Sequence, residues 1–294
     1  MQGAMSTQEF PLVTEWRHHR WVIPLAIVCG LVVILYAPVI SGLFRQWYED
    51  PNYSHGFVVP LFSVFLLWMD RSRLLKIPLK PSNLGLVGIA GSIVLLILGS
   101  LAAELFVSRM SFLILLWSIV VFFAGWRMLR SCAFPLGFLV FMIPLPAIIY
   151  YQITFPLQLL ASWFAGVSLD LLQIPALRDG NIIVLPNYTM EVAEACSGIR
   201  SLFSLLAVAC AYTHLTERCN WKRVLLVVLM IPIAILSNGL RIVGTGVLTY
   251  LYGQRYAEGF FHMFAGWMIF LTAFVFLLFA HRVIALFGRR KEVR

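Results

Sequence analysis

Apolar runs recur along the whole chain, separated by short polar breaks, and their length predicts membrane-spanning helices. A helical span needs about 20 apolar residues. Eight are expected, at approximately Trp21–Phe44, Gly56–Met69, Asn83–Ala103, Met110–Trp126, Ser131–Tyr150, Cys196–Leu215, Val224–Tyr250 and Phe260–His281. The second is short. A ninth apolar stretch, Ile153–Ile174, carries Pro156 and Asp170 and is followed at once by Pro175; it is expected to lie along the outer surface or to re-enter without crossing. From Arg178 to Ala195 the apolar residues alternate about an Asp-Gly turn, which predicts a small extended hairpin on the outer face. The fold class is therefore all-α and polytopic, a single domain over residues 1–294 with a tail at 1–20 and a basic tail at 282–294.

Composition agrees. Of the residues 61% are hydrophobic and 12% charged, with a mean hydropathy of +0.89, whereas soluble domains are nearer half apolar and a quarter charged. An ordinary soluble enzyme is excluded. Because the apolar runs repeat, and no A-x-A site follows the first, that run is not a cleaved signal peptide. The net charge of +9 does not imply nucleic acid. Most lysines and arginines fall in the segments Arg17–Arg20, Arg71–Lys80, Arg127–Arg130, Arg218–Arg223 and Arg282–Arg294. These share one side if Ile153–Ile174 does not cross, leaving Arg45, Arg109, Arg178 and Arg255 in outer loops. The positive-inside rule then puts both termini in the cytoplasm.

Chemistry concentrates near Cys196. The chain has five cysteines, an odd number that argues against a full disulfide framework. Cys29, Cys132, Cys210 and Cys219 read as small hydrophobes. Cys196, in E-V-A-E-A-C-S-G-I-R, is the one that faces outward, at a helix start whose dipole and N–H groups stabilise a thiolate. Arg200 is one turn on along the same face. Arg241, in S-N-G-L-R-I-V-G, lies about 26 Å along the seventh span from Val224, close to the outer boundary; Asn238 shares its face. His262 opens the eighth span. An unpaired thiol, a cation and an imidazole at one depth form a nucleophile, an electrophile stabiliser and a proton shuttle. Plainer readings exist: Arg241 snorkelling to headgroups, His262 as an interfacial hydrogen-bonding group, and Glu191 and Glu194 as solvated loop acids rather than orienters of the imidazole or Arg200. His55 is a rival base on the first outer loop. No H-E-x-x-H, P-loop or G-x-S-x-G motif is present, so neither a metal nor another cofactor is expected.

At these residues the sequence resembles the exosortase/archaeosortase family of membrane-embedded sorting proteases, specifically the bacterial exosortases. The matching motifs are A-C-S-G-I-R at Cys196, N-G-L-R at Arg241 and F-F-H at His262. Two loops are similar as well: W-Y-E-D-P-N-Y-S-H-G-F from Trp47, and R-D-G-N-I-I-V-L-P from Arg178. The resemblance implies a cysteine endopeptidase or transpeptidase of the bacterial inner membrane with its site facing the periplasm. Its clients would be membrane-anchored proteins ending in a Pro-Glu-Pro motif, a transmembrane helix and a basic cluster. It implies an association with exopolysaccharide and transfer to a lipid, sugar or water acceptor. In that reading Cys196 is the nucleophile, Arg241 the oxyanion stabiliser and His262 the general acid/base, with Arg200, Asn238, His55 and Glu194 as substrate-binding candidates. The alternative, from another class, is a non-catalytic component of exopolysaccharide assembly or transport that binds anionic lipid phosphate through Arg200 and Arg241.

Overall fold

The structure, a computed structural model, describes the backbone of residues 15–192, 199–253 and 260–289, and the side chains of 26–51, 53–192, 202–253 and 267–286. Among these, five helices are long and apolar enough to cross a membrane, or six if one bent pair counts as a span. The helices are α1 (Glu15–Glu49), α2 (Val58–Met69), α3 (Arg71–Leu74), α4 (Leu84–Leu101), α5 (Leu105–Ala124), α6 (Trp126–Ser131), α7 (Ala133–Phe138), α8 (Ala147–Leu171), α9 (Ile199–Thr216), α10 (Asn220–Tyr252) and α11 (Phe260–Arg289). Two 3-10 turns, Pro51–Phe57 and Leu139–Met142, complete the helical part. The chain is an all-α, multi-pass membrane protein. Below, the end of the bundle where α9 begins is the upper end.

Helices α4 and α5 form the tightest hairpin. A Cβ at Gly85 would run into the Phe122 backbone, one at Gly88 into Ser118 Oγ, and one at Gly99 into Ser108 Oγ. Small residues let the two backbones approach in a medium where hydrophobicity gives no drive to associate. The turn between them is closed by Glu104, whose carboxylate accepts from Phe106 N–H, an N-cap that satisfies one orphan donor.

The structure corrects two expected boundaries. First, Ser131–Tyr150 is not one span. It breaks after Met142, and Ala133–Met142 meets Ala147–Leu171 at 83°. The cause is Ile143-Pro144-Leu145-Pro146, because a residue before proline is pushed out of the α region; Ile143 is extended, at φ −94° and ψ 119°. The stretch expected to stand apart from Ile153 onward is thus the body of α8. Second, α1 runs on to Glu49, and Arg45, expected in a loop, pairs with Glu49 on its last turn at 2.8 Å. Arg109, also expected in a loop, sits inside α5 and is buried.

The predicted hairpin is a three-stranded antiparallel sheet: β1 (Leu177–Asp179), β2 (Ile182–Leu185) and β3 (Tyr188–Glu191). Gly180 takes φ +60° at the Asp-Gly turn, a conformation glycine adopts at no steric cost. Its register pairs Arg178 with Ile183 and Ile183 with Met190. Ile183, Leu185 and Met190 pack on Ala161, Ala165 and Leu169 of α8 and on Ile242 of α10. Ser162 Oγ donates to the Gly180 carbonyl at 2.8 Å, so the sheet and α8 together cap the upper half of α10.

Helices α9, α10 and α11 share a second core. Leu202, Leu205 and Ala209 meet Leu226, Met230 and Ala234 of α10 and Ile269, Ala273 and Leu277 of α11.

Candidate functional site

The register of that three-helix unit is set at its lower end around Glu217. His281 Nε2 lies 2.8 Å from Glu217 Oε1, and Tyr212 Oη lies 2.6 Å from His281 Nδ1. From α10, Arg223 donates to the carbonyls of Glu217 at 2.7 Å and His214 at 3.3 Å. Counting up from this common level at 1.5 Å per residue, Arg241 lies about 27 Å above Arg223, position 262 about 28 Å above His281, and position 200 about 24 Å above Thr216. Helix geometry therefore brings these three positions to one height, within about one turn.

At that height α10 carries two buried polar groups. Ser237 and Asn238 are each 2% exposed, and among the described residues neither Ser237 Oγ nor Asn238 Oδ1 has a hydrogen-bond partner. A buried, unsatisfied acceptor costs about 1–3 kcal/mol. Native proteins retain few such atoms, and each calls for an explanation such as a functional role, an ordered water or an ion. Ser237 is one turn below Arg241, which is partly buried, so all three lie toward one side of the helix. On the neighbouring side, Phe164 of α8 packs against Gly239, where any Cβ would strike its ring, holding the cap close.

The first outer loop enters this region by a route that pattern reading does not show. The break at Pro144 and Pro146 strips the chain of N–H donors, so the carbonyl of Phe141 lacks its i+3 donor and that of Met142 its i+4 donor. Both are satisfied from the 3-10 segment and the end of α1. Trp47 Nε1 donates to Met142 O at 2.9 Å, and His55 Nε2 lies 3.1 Å from Phe141 O. A carbonyl only accepts, so His55 carries its proton on Nε2. Its Nδ1 meets Ser204 Oγ of α9 at 3.1 Å, one turn below position 200. His55 thus ties the broken helix to the start of α9 through both ring nitrogens.

Of the residues singled out from sequence, Asn238 and Arg241 are side by side and His55 adjoins α9. Arg200 and His262 fall on described helix starts, but their side chains lie outside the described residues. Cys196 and Glu194 lie outside them altogether. Glu191 is the exposed last residue of β3. Among the described residues, no group of three His, Cys, Asp or Glu has metal-binding proximity. None of the four described cysteines is in a disulfide. Sequence reasoning missed Trp47 as a carbonyl cap and Ser237 as an unsatisfied neighbour of Arg241; the Pro-x-Pro at 144–146 was the signal for the first.

A multi-pass helical membrane protein with an unsatisfied polar level under a helix-and-sheet cap is the class the geometry defines. Comparison with family profiles narrows it: residues 47–279 match the transmembrane exosortase profile (Exosortase_EpsH). The match spans most of the chain, and the protein belongs to the transmembrane exosortase family. Neither the curated proteins nor the solved structures yield a match.

Proposed function

We propose that the protein is a cysteine protease or transpeptidase that cuts membrane-anchored clients where lipid gives way to solvent. The observation that carries this reading is the common height of positions 200, 241 and 262 beside the unsatisfied Ser237 and Asn238. In the sequence, Cys196 stands three residues ahead of α9. In the proposed reaction the Cys196 thiolate attacks a peptide carbonyl just outside the client's own membrane helix. Arg241 stabilises the tetrahedral oxyanion, a contribution of about 3–4 kcal/mol for a comparable donor. His262 protonates the leaving amine as the C–N bond breaks and a thioester forms, then takes the proton of the incoming acceptor. Asn238 Oδ1 accepts a client backbone N–H, and Arg200 and Glu194 line the approach. With an amine or hydroxyl acceptor the product is a transferred protein; with water it is a hydrolysed one. Clients carry the Pro-Glu-Pro, helix and basic-cluster ending, and the site faces the periplasm of a bacterial inner membrane with both termini cytoplasmic.

The test is co-expression with a tagged reporter bearing that ending. Wild-type protein should shorten the reporter and Cys196→Ala should not. Processing that persists in Cys196→Ala refutes the thiol mechanism, and a reporter left intact by wild type and variant alike favours a non-catalytic role in binding anionic lipid phosphate.

A further inference from the structure

Helix α9 is gripped by apolar groups on two sides. Leu202, Leu205 and Ala209 meet α10 and α11. On the other side Ala207 is buried in the cluster of Leu43, Trp47 and Met142, with Cys210 and Ala211 packed against it. Apolar contact has no preferred direction, and alanines offer little to interlock, so this second side fixes the height and rotation of α9 only weakly. Ser204 shares it, at i, i+3 and i+7 with Ala207 and Ala211, and position 200 is one turn further up. Here His55 Nδ1 meets Ser204 Oγ at 3.1 Å. That contact is directional, and it lies close to where α9 begins at Ile199.

His55 is itself firmly mounted. Its 3-10 turn is closed by Tyr53 N–H on Asp50 O and by Ser54 Oγ on Pro51 O, each at 3.0 Å. The buried Gly56 lies against the Trp47 indole, which a Cβ would strike, and Phe57 meets the same indole edge to face at 5.3 Å. Trp47 caps Met142 O, and His55 Nε2–H caps Phe141 O. The imidazole is thus anchored to the end of α1 and to the proline break, which together hold its other nitrogen toward α9. With the proton on Nε2, Nδ1 accepts from the Ser204 hydroxyl, so the lone pair that a general base would use is engaged.

We infer that His55 is a positioning residue of the proposed cleavage: through Ser204 it fixes the first turns of α9, and hence Arg200 and the segment that leads back to Cys196, against the proline break. The inference rests on the proteolytic reading above and adds to it a residue that touches neither client nor acceptor.

The experiment uses the full-length protein in vesicles with graded amounts of the tagged reporter. His55→Gln keeps an N–H to cap Phe141 O but has no ring nitrogen to accept from Ser204; Ser204→Ala removes the same bond from the other side. Each should lower kcat about ten- to hundred-fold, the scale of a misplacement of about 1 Å, with KM within about twofold of wild type. The double variant should fall no further than either single one. Ser204→Thr, which keeps the hydroxyl, should retain most of the rate. The pH profile of kcat should keep its shape in His55→Gln. Tyr53, whose ring is 6.4 Å from that of His55, has its phenol pushed up to about 12, chiefly by burial, and stays neutral through the range of the profile.

A raised KM with kcat intact makes His55 a client-binding group, and a lost limb of the pH profile makes it a base. Multiplicative effects of the two substitutions uncouple it from Ser204. Each of these overturns the assignment, as do variants as active as wild type. Alkylation of Cys196 by an impermeant maleimide, with Cys29, Cys132, Cys210 and Cys219 replaced by alanine, reads the same segment without a client. His55→Gln and Ser204→Ala should change its rate together and non-additively. A reporter left intact by wild type sinks the protease reading, and the alkylation rates then decide alone: a coupled change keeps His55 as the residue that places the start of α9, and unchanged rates overturn it.

Discussion

Replacing Trp47 with Phe isolates the contribution of one cap at the proline break. Trp47 is 4% exposed and its Nε1–H donates to Met142 O at 2.9 Å. Pro146 cannot supply the helical donor that carbonyl would otherwise have, so Trp47→Phe leaves it buried and unsatisfied. That costs about 1–3 kcal/mol, and the shrinkage from indole to benzene adds roughly 1 kcal/mol of cavity cost. A loss of about 2–4 kcal/mol corresponds to a fall in Tm of roughly 4–12 °C, measurable by scanning fluorimetry in detergent. Trp117→Phe is the matched control. Trp117 Nε1 donates to Leu136 O at a longer 3.3 Å, and non-proline residues 139 and 140 follow that carbonyl with their own N–H groups. Trp117→Phe should therefore cost less. A Trp47→Phe protein as stable as wild type, or a control that loses more, refutes the account of the break.

Three further outcomes are expected. Gly85→Ala forces a methyl into the Phe122 backbone and should destabilise by about 1–3 kcal/mol, whereas Gly91→Ala, with nothing within 4 Å of its Cβ, should be neutral or slightly stabilising in thermal unfolding. Glu217→Ala removes the carboxylate bonded to His281 and should cost about 1.5–3 kcal/mol; Glu217→Gln, which keeps an acceptor, should cost less in the same assay. Tyr53, with its phenol raised from 10 to about 12, favours the fold in its neutral form. That contribution is complete below pH 10 and is lost as pH rises through 12; the difference in phenolate absorbance between wild type and Tyr53→Phe should therefore appear near pH 12.

Periodicity made the long helices legible because a span needs one continuous apolar run, and α4, α5, α10 and α11 have it. The Asp179-Gly180 turn announced the sheet for an equally local reason. What escaped was decided by partners distant in sequence. Whether Ser131–Tyr150 holds as one helix turns on Pro144 and Pro146, whose weight against a strongly apolar background is a backbone matter that hydropathy does not register. His55 reads as a rival base or substrate-binding group on a loop until its contacts, 86 and 149 positions away, are seen. Arg109 reads as a loop charge because basic residues usually flank spans; only the packing of α5 on α1 shows that it is enclosed. The place of Arg241 along α10, by contrast, followed from counting residues along one helix.

The length of α10 has a consequence for the membrane around it. Thirty-three residues rise about 50 Å, against a hydrocarbon thickness of about 30 Å. The surplus emerges at one end or is absorbed by leaning; if the hydrocarbon begins near Asn220, the Ser237–Arg241 level is reached after about 26–32 Å, where that surplus begins. Acyl-chain length is then a rheostat: thicker bilayers draw the guanidinium toward oil and thinner ones lift it toward water, so hydrophobic mismatch sets how hydrated the polar level is.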